Sequence, residues 1–126
     1  MRNYAVFGGI LRSELDFPDL SPADSGAPDW FLRTADAPAP DLLDAVTLGT
    51  EEVDTGIGVR LLRSGSTYRL VYDDSGSFDV VGSRSITWYP GPSASAELAR
   101  LDVIGRVLAL ALHADGWLPL HGSAVA

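Results

Sequence analysis

Apolar and polar residues alternate most regularly between Gly56 and Tyr89, in four short runs: Ile57-Val59-Leu61, Tyr68-Leu70-Tyr72, Phe78-Val80 and Ile86-Trp88. A period of two sends successive side chains to opposite faces of a strand, so each run predicts a strand. Ser64-Gly65-Ser66, Asp73-Asp74-Ser75-Gly76 and Gly82-Ser83 separate the runs. This is turn chemistry at hairpin spacing, and the four strands are expected to form an antiparallel meander. One face of it is apolar and needs cover, while Arg60, Thr67, Arg69, Asp79 and Thr87 fall on the other, more polar face.

The expected cover is a helix over residues 94–115, after Pro90-Gly91-Pro92 and a capping Ser93, and stopped by Gly116. Leu98, Leu101, Ile104, Leu108, Ala111 and Leu112 recur along one helical stripe, which Val103, Val107 and Leu110 widen. Such breadth predicts burial on more than one side. At about 2 kcal/mol per buried leucine, this helix would be the main stabilising element before chain entropy is subtracted. Beyond Gly116 the run Trp117 to Ala126 reads as a short terminal strand.

Upstream, residues 3–12 read as a first strand whose Gly8-Gly9 pair could host a bulge. Residues 13–28 are rich in Pro, Asp, Ser and Gly and predict a surface loop pinned by Leu15, Phe17 and Leu20. Trp30-Phe31-Leu32-Arg33 predicts a second short strand. Residues 35–55, with Pro38 and Pro40, carry weak signals and a short helical turn at Asp41 to Val46. The expected fold class is α+β, an antiparallel β-meander packed against one long C-terminal helix and followed by a short terminal strand. Residues 1–92 form a mostly β domain and residues 93–126 a helix and strand leading out of it.

A chain of 126 residues fits one domain and buries about two thirds of its unfolded surface, enough for a core without staples. With no cysteine, disulfides, thiolate metal sites and a cysteine nucleophile are excluded. All 9 basic residues are arginine, so a Schiff-base lysine, a lysine general base and a phosphate-loop lysine are excluded within these residues. A net charge of -8 argues against nucleic acid, whose binding rests on clustered cations. No apolar run approaches the roughly 18 residues that span a bilayer, and Met1-Arg2-Asn3-Tyr4 lacks a signal-peptide layout. The chain is expected to be soluble and cytoplasmic, without membrane or nucleic-acid partners.

Candidate chemistry is sparse. His113 falls near a predicted helix end, where the dipole favours a cation and a capping role. Glu51-Glu52 and Asp73-Asp74 are carboxylate pairs, but Asp73-Asp74-Ser75-Gly76 is turn chemistry and lacks the spacing of a calcium loop. Gly65-Ser66 and Gly122-Ser123 lack the full nucleophile-elbow pattern. Trp30, Trp88, Tyr89 and Trp117 could line a groove for a peptide or protein, although aromatics of small sheets usually fill the core. Arg60, Arg63, Arg69 and Arg84 on neighbouring strands could form an anion-binding face, with solvated strand charges as the default.

The run Leu120-His121-Gly122-Ser123-Ala124-Val125, preceded by an Ala/Leu-rich helix, resembles the segment that introduces the phosphate-binding loop in the HPr kinase/phosphorylase superfamily and its HPr-serine-kinase-like relatives. The opening Tyr4-Ala5-Val6-Phe7-Gly8-Gly9-Ile10-Leu11-Arg12-Ser13-Glu14-Leu15 is similar to the first strand of those relatives. These anchors stand near the two ends of the chain. The resemblance implies a non-catalytic N-terminal domain plus the first strand of a P-loop kinase, with the kinase half as partner and a peptide or protein as substrate. ATP and Mg would be cofactors of the complete kinase, and none is expected for these residues alone. Only the histidine of the His-Gly motif carries over, onto His121, where an imidazole would orient or charge-stabilise phosphate. The departures are large, since the chain has no glycine-rich loop with its lysine and no downstream catalytic aspartate. Two other readings are a stand-alone peptide- or protein-binding domain using the aromatics and arginines of the meander, and a small enzyme using carboxylates and His121. Homo-oligomerisation would equally cover the terminal strand.

Overall fold

The computed structural model of the chain describes residues 2–23, 26–54, 57–73, 76–82, 84–91, 95–108 and 110, with side chains throughout except at 51–54, 57, 101 and 105. Its strands are β1 (Arg2–Val6), β2 (Gly9–Ser13), β3 (Trp30–Thr34), β4 (Val46–Asp54), β5 (Ile57–Ser64), β6 (Thr67–Tyr72), β7 (Gly76–Val81) and β8 (Ser85–Pro90). They form one 8-stranded sheet in the order β1-β2-β3-β8-β7-β6-β5-β4. The meander β5 to β8 is antiparallel throughout, as its alternation predicts. β3 instead runs parallel to both β2 and β8, so the sheet is mixed and the expected purely antiparallel fold is corrected.

The helix is corrected too. Where one long helix was expected, the structure has α1, the seven residues Ala96–Asp102, followed by a five-residue π turn, Val103–Val107. Its N-cap is Ser95, whose Oγ accepts from Leu98 N–H at 3.1 Å, rather than Ser93. Of the expected stripe and its widening, Leu108, Val103 and Val107 are fully buried, together with Ala99, and Leu98 and Ile104 are half-buried. The predicted terminal strand over 117–126 lies outside the described residues.

Residues aligned across the strands fill the core beneath α1. One row runs Leu61, Leu70, Phe78, Trp88 and another Tyr68, Val80, Ile86, Leu32. Phe78, Val80 and Leu32 have no exposed surface. The stretch read as a single strand over 3–12 is a hairpin, with Phe7 (φ 50°) and Gly8 (φ 75°) as its two-residue loop. Gly9 then starts β2 directly under Trp30, because a Cβ there would meet the indole at 2.9 Å.

The loop after β2 is pinned as its apolar residues predict, with Leu15 and Phe17 buried and Leu20 half-buried against the core. Tyr4 Oη accepts from Phe17 N–H at 3.0 Å, and the two rings meet edge to face at 5.5 Å. Ala5 N–H donates to Ser21 O and Ala23 N–H to Asn3 O, so this loop covers the free edge of β1 that would otherwise invite pairing.

From β3, in the middle of the sheet, the chain crosses to β4 at the far edge. Residues 35–45 make this crossing over the face opposite α1. Three hydrogen bonds fasten the strap: Ala35 N–H to Trp88 O at 2.8 Å, Arg69 Nη1 to Pro40 O at 2.7 Å, and Ser64 Oγ to Leu43 O at 2.5 Å. Within it, the expected helical turn at Asp41 to Val46 is a turn at Leu43-Asp44 only.

Candidate functional site

Polar chemistry concentrates on the strapped face of the sheet. One row across five strands reads Leu62, Arg69, Asp79, Thr87 and Arg33. The neighbouring row reads Thr67, Val81, Ser85, Phe31 and Arg12. The strap divides these rows into a covered part and an open part.

Under the strap, on the more polar face, Arg69 and Asp79 are only 7% and 6% exposed, which corrects the default of a solvated strand charge for Arg69. Arg69 Nε meets Asp79 Oδ1 at 2.6 Å and Nη2 meets Oδ2 at 2.8 Å, a bidentate pair whose fixed fork matches the carboxylate. The hydrogen bonds that Arg69 donates to Asp79 raise its pKa above its ordinary value, against the desolvation that would lower it. The Arg69 guanidinium also lies 5.9 Å from the Tyr89 ring centroid. With both Asp79 oxygens and all three guanidinium nitrogens engaged and the pair buried, this cluster serves to bind the strap.

Beyond the strap, the face of β2, β3 and β8 carries Arg12, Phe31, Arg33, Ser85 and Thr87. Arg12, Arg33 and Ser85 are exposed, and Phe31 and Thr87 half-buried. Phe31, Arg33, Ser85 and Thr87 line a shallow cleft of about 260 Å³. The nearest carboxylate in the same row is Asp79, committed to Arg69. Glu14, which follows β2, accepts from Thr34 N–H at 2.7 Å.

A second cleft, of about 420 Å³, lies between the loop after β2 and α1, lined by Phe17, Leu20, Asp19, Glu97, Arg100 and Ile104. Its one cation, Arg100, donates to Asp16 O at 3.3 Å.

The structure disperses the sequence-derived candidates. Arg63 donates to Gly65 O at 3.2 Å and lies 5.4 Å from the Tyr68 ring centroid. Arg84 donates to Pro28 O at 2.6 Å and Asp29 O at 3.3 Å, and Arg60 stands exposed on β5. The four arginines proposed as an anion face therefore do not converge. Trp30 and Trp88 belong to the core at 6% and 5% exposure, while Tyr89 faces the strap. Asp73 Oδ2 accepts from Gly58 N–H at 2.8 Å, a bond that extends the β5–β6 pair by one residue. His113, Trp117, His121 and Ser123 lie outside the described residues, as does Asp74. Glu51 and Glu52 fall on β4. Among the described residues, no group of three or more His, Asp or Glu side chains is placed to hold a metal ion, and no helix is long and apolar enough to cross a membrane.

The sequence reading missed Arg12, Phe31 and Arg33. The available signal was their phase, since Phe31 and Arg33 alternate with buried Trp30 and Leu32. Comparison of the chain with protein-family models, with curated proteins and with solved structures finds no match.

Proposed function

We propose that this chain is the non-catalytic N-terminal domain of an HPr-serine-kinase-like protein, and that it packs on a P-loop kinase half and presents a peptide or protein substrate to it. One observation carries the reading: the His-Gly run Leu120 to Val125 follows the helical segment that closes the sheet's own core. Val103, Val107 and Leu108 of that segment are fully buried, so its first turns are fixed to the sheet by packing. A domain joined through such an element holds a substrate at a set distance from the chemistry, which a flexible linker does not.

In this reading ATP and Mg belong to the kinase half, because a phosphate loop needs a lysine and these residues include none. His121 would stand beside that loop and donate to a phosphate oxygen.

The gene past codon 126 tests the proposal, with a glycine-rich loop carrying lysine expected shortly downstream. A stop codon directly after Ala126 overturns it. In the extended protein, His121→Ala is expected to lower phosphoryl transfer by about a hundredfold while leaving the melting temperature unchanged. By calorimetry the 126-residue chain alone should not bind ATP.

A further inference from the structure

The open part of the strapped face has a charge opposite to that of the whole molecule. The chain carries a net charge of -8, yet the charged side chains of β2 and β3 on this face are Arg12 and Arg33, and the carboxylates that flank these strands are engaged by backbone, Glu14 by Thr34 N–H and Asp29 by Ile10 N–H. Arg12 lies opposite Phe31 in the β2–β3 register, and Arg33 follows two residues on along β3, so all three side chains share one face of the sheet, with Arg33 lining the cleft and Arg12 at its margin. Both are exposed and engage no described side chain. On the far side of the ring, Ser85 and Thr87 of β8 lie opposite Phe31 and Arg33 and supply hydroxyl groups.

Each part restricts the ligand. Two guanidinium groups with free donors select an anionic oxygen group and reject a cation. A half-buried phenyl ring favours a flat apolar body, which meets it face-offset or edge-on. The cleft of about 260 Å³ falls below the usual range for drug-sized ligands, so one ring and its charged group fit and a dinucleotide does not.

We propose that Arg12, Phe31, Arg33, Ser85 and Thr87 form a binding site for a carboxylate or phosphate carried on a single flat ring. The site is independent of the kinase reading. The anionic group lies between the two guanidinium groups, the ring rests on Phe31, and the hydroxyls of Ser85 and Thr87 donate to the remaining oxygens. Such a group arrives either as a free small molecule or as the phosphotyrosine side chain of a peptide.

The test is a titration of the isotope-labelled 126-residue chain at low salt with phenyl phosphate, benzoate, inorganic phosphate and benzyl alcohol, followed by backbone amide shifts. Phenyl phosphate should move the amides of Phe31 to Arg33 and Ser85 to Thr87, more tightly than inorganic phosphate, with benzyl alcohol giving no saturable shift. Arg33→Gln and Arg12→Gln are each expected to weaken binding about tenfold, and Arg60→Gln, on the same face but distant, should leave it unchanged. These are exposed positions, and an unchanged amide spectrum of each free variant verifies the fold. Added salt should weaken binding. A phosphotyrosine peptide identifies the source: tighter binding than phenyl phosphate assigns a protein ligand and weaker binding a free small molecule, provided Arg33→Gln abolishes the difference. No saturable shift with phenyl phosphate or benzoate, or equal binding by the Arg12→Gln/Arg33→Gln double variant, overturns the proposal.

Discussion

Arg69 shows what a single side chain can do when the chain crosses over it. Its guanidinium satisfies both Asp79 oxygens and the Pro40 carbonyl, so truncation would strand a carboxylate that is 6% exposed. Arg69→Ala should cost about 3–5 kcal/mol, the usual loss when one partner of a buried pair is removed. Arg69→Met combined with Asp79→Leu should recover most of it, because an apolar pair leaves no buried charge. Urea denaturation of the two variants checks both outcomes. The raised Arg69 pKa means that its contribution is present below the unfolded arginine's value and is lost only as pH rises through the still higher folded one. The arginine side of the pair therefore adds no pH dependence in the neutral range. Phe7 is the opposite case, a bulky residue at φ 50° and 53% exposed, where its left-handed backbone conflicts with its side chain. Phe7→Asn restores the Asn-Gly loop that such hairpins favour and should raise stability by about 0.5–1 kcal/mol. Thermal melts of the chain and the variant check it.

Elements were legible where their signals are local. The meander β5 to β8 follows from period-two alternation broken by Gly and Ser turns, and nothing distant modifies it. β1 and β2 merged in the sequence because Phe7 is a strand-former occupying a turn position, and the glycines beside it read equally well as a bulge. β4 escaped notice because Val46, Leu48 and Thr50 are all exposed, and register shifts at Thr47/Gly49 and Glu52/Asp54 disrupt its alternation. In the helix, the leucine stripe is genuine as a pattern, but the π turn places one more residue in a turn. Val103 and Val107, expected only to widen the stripe, are fully buried, whereas Leu98 is half-buried. Ser95 is the cap that starts this element, and Ser95→Ala should cost about 1 kcal/mol, read as a lower midpoint in urea with an unchanged slope. The open arginine face stayed hidden for a different reason. Arg12 and Arg33 are 21 positions apart in the chain, and only the parallel pairing of β2 with β3 makes them neighbours.

Across the whole molecule, the strap determines which side of the sheet is free. The helix face is closed by α1, and the opposite face is closed over β5, β6 and β7 by residues 35–45, leaving β2, β3 and β8 open. The strap is tied at its start, middle and end by Ala35, Pro40 and Leu43, with little apolar burial of its own, since Leu43 is 83% exposed. Its stability must then rest on those hydrogen bonds and on the restricted backbone of Pro38 and Pro40. Replacing both prolines with alanine keeps the Pro40 carbonyl, and with it the Arg69 contact, but widens the unfolded ensemble. At about 0.4–1 kcal/mol for each proline, the double variant should lose about 1–2 kcal/mol in urea while the Arg69 Nε–H stays protected from exchange. Rapid Nε–H exchange in that variant would mean instead that proline stiffness holds the strap down and that Arg69 is buried only as its consequence.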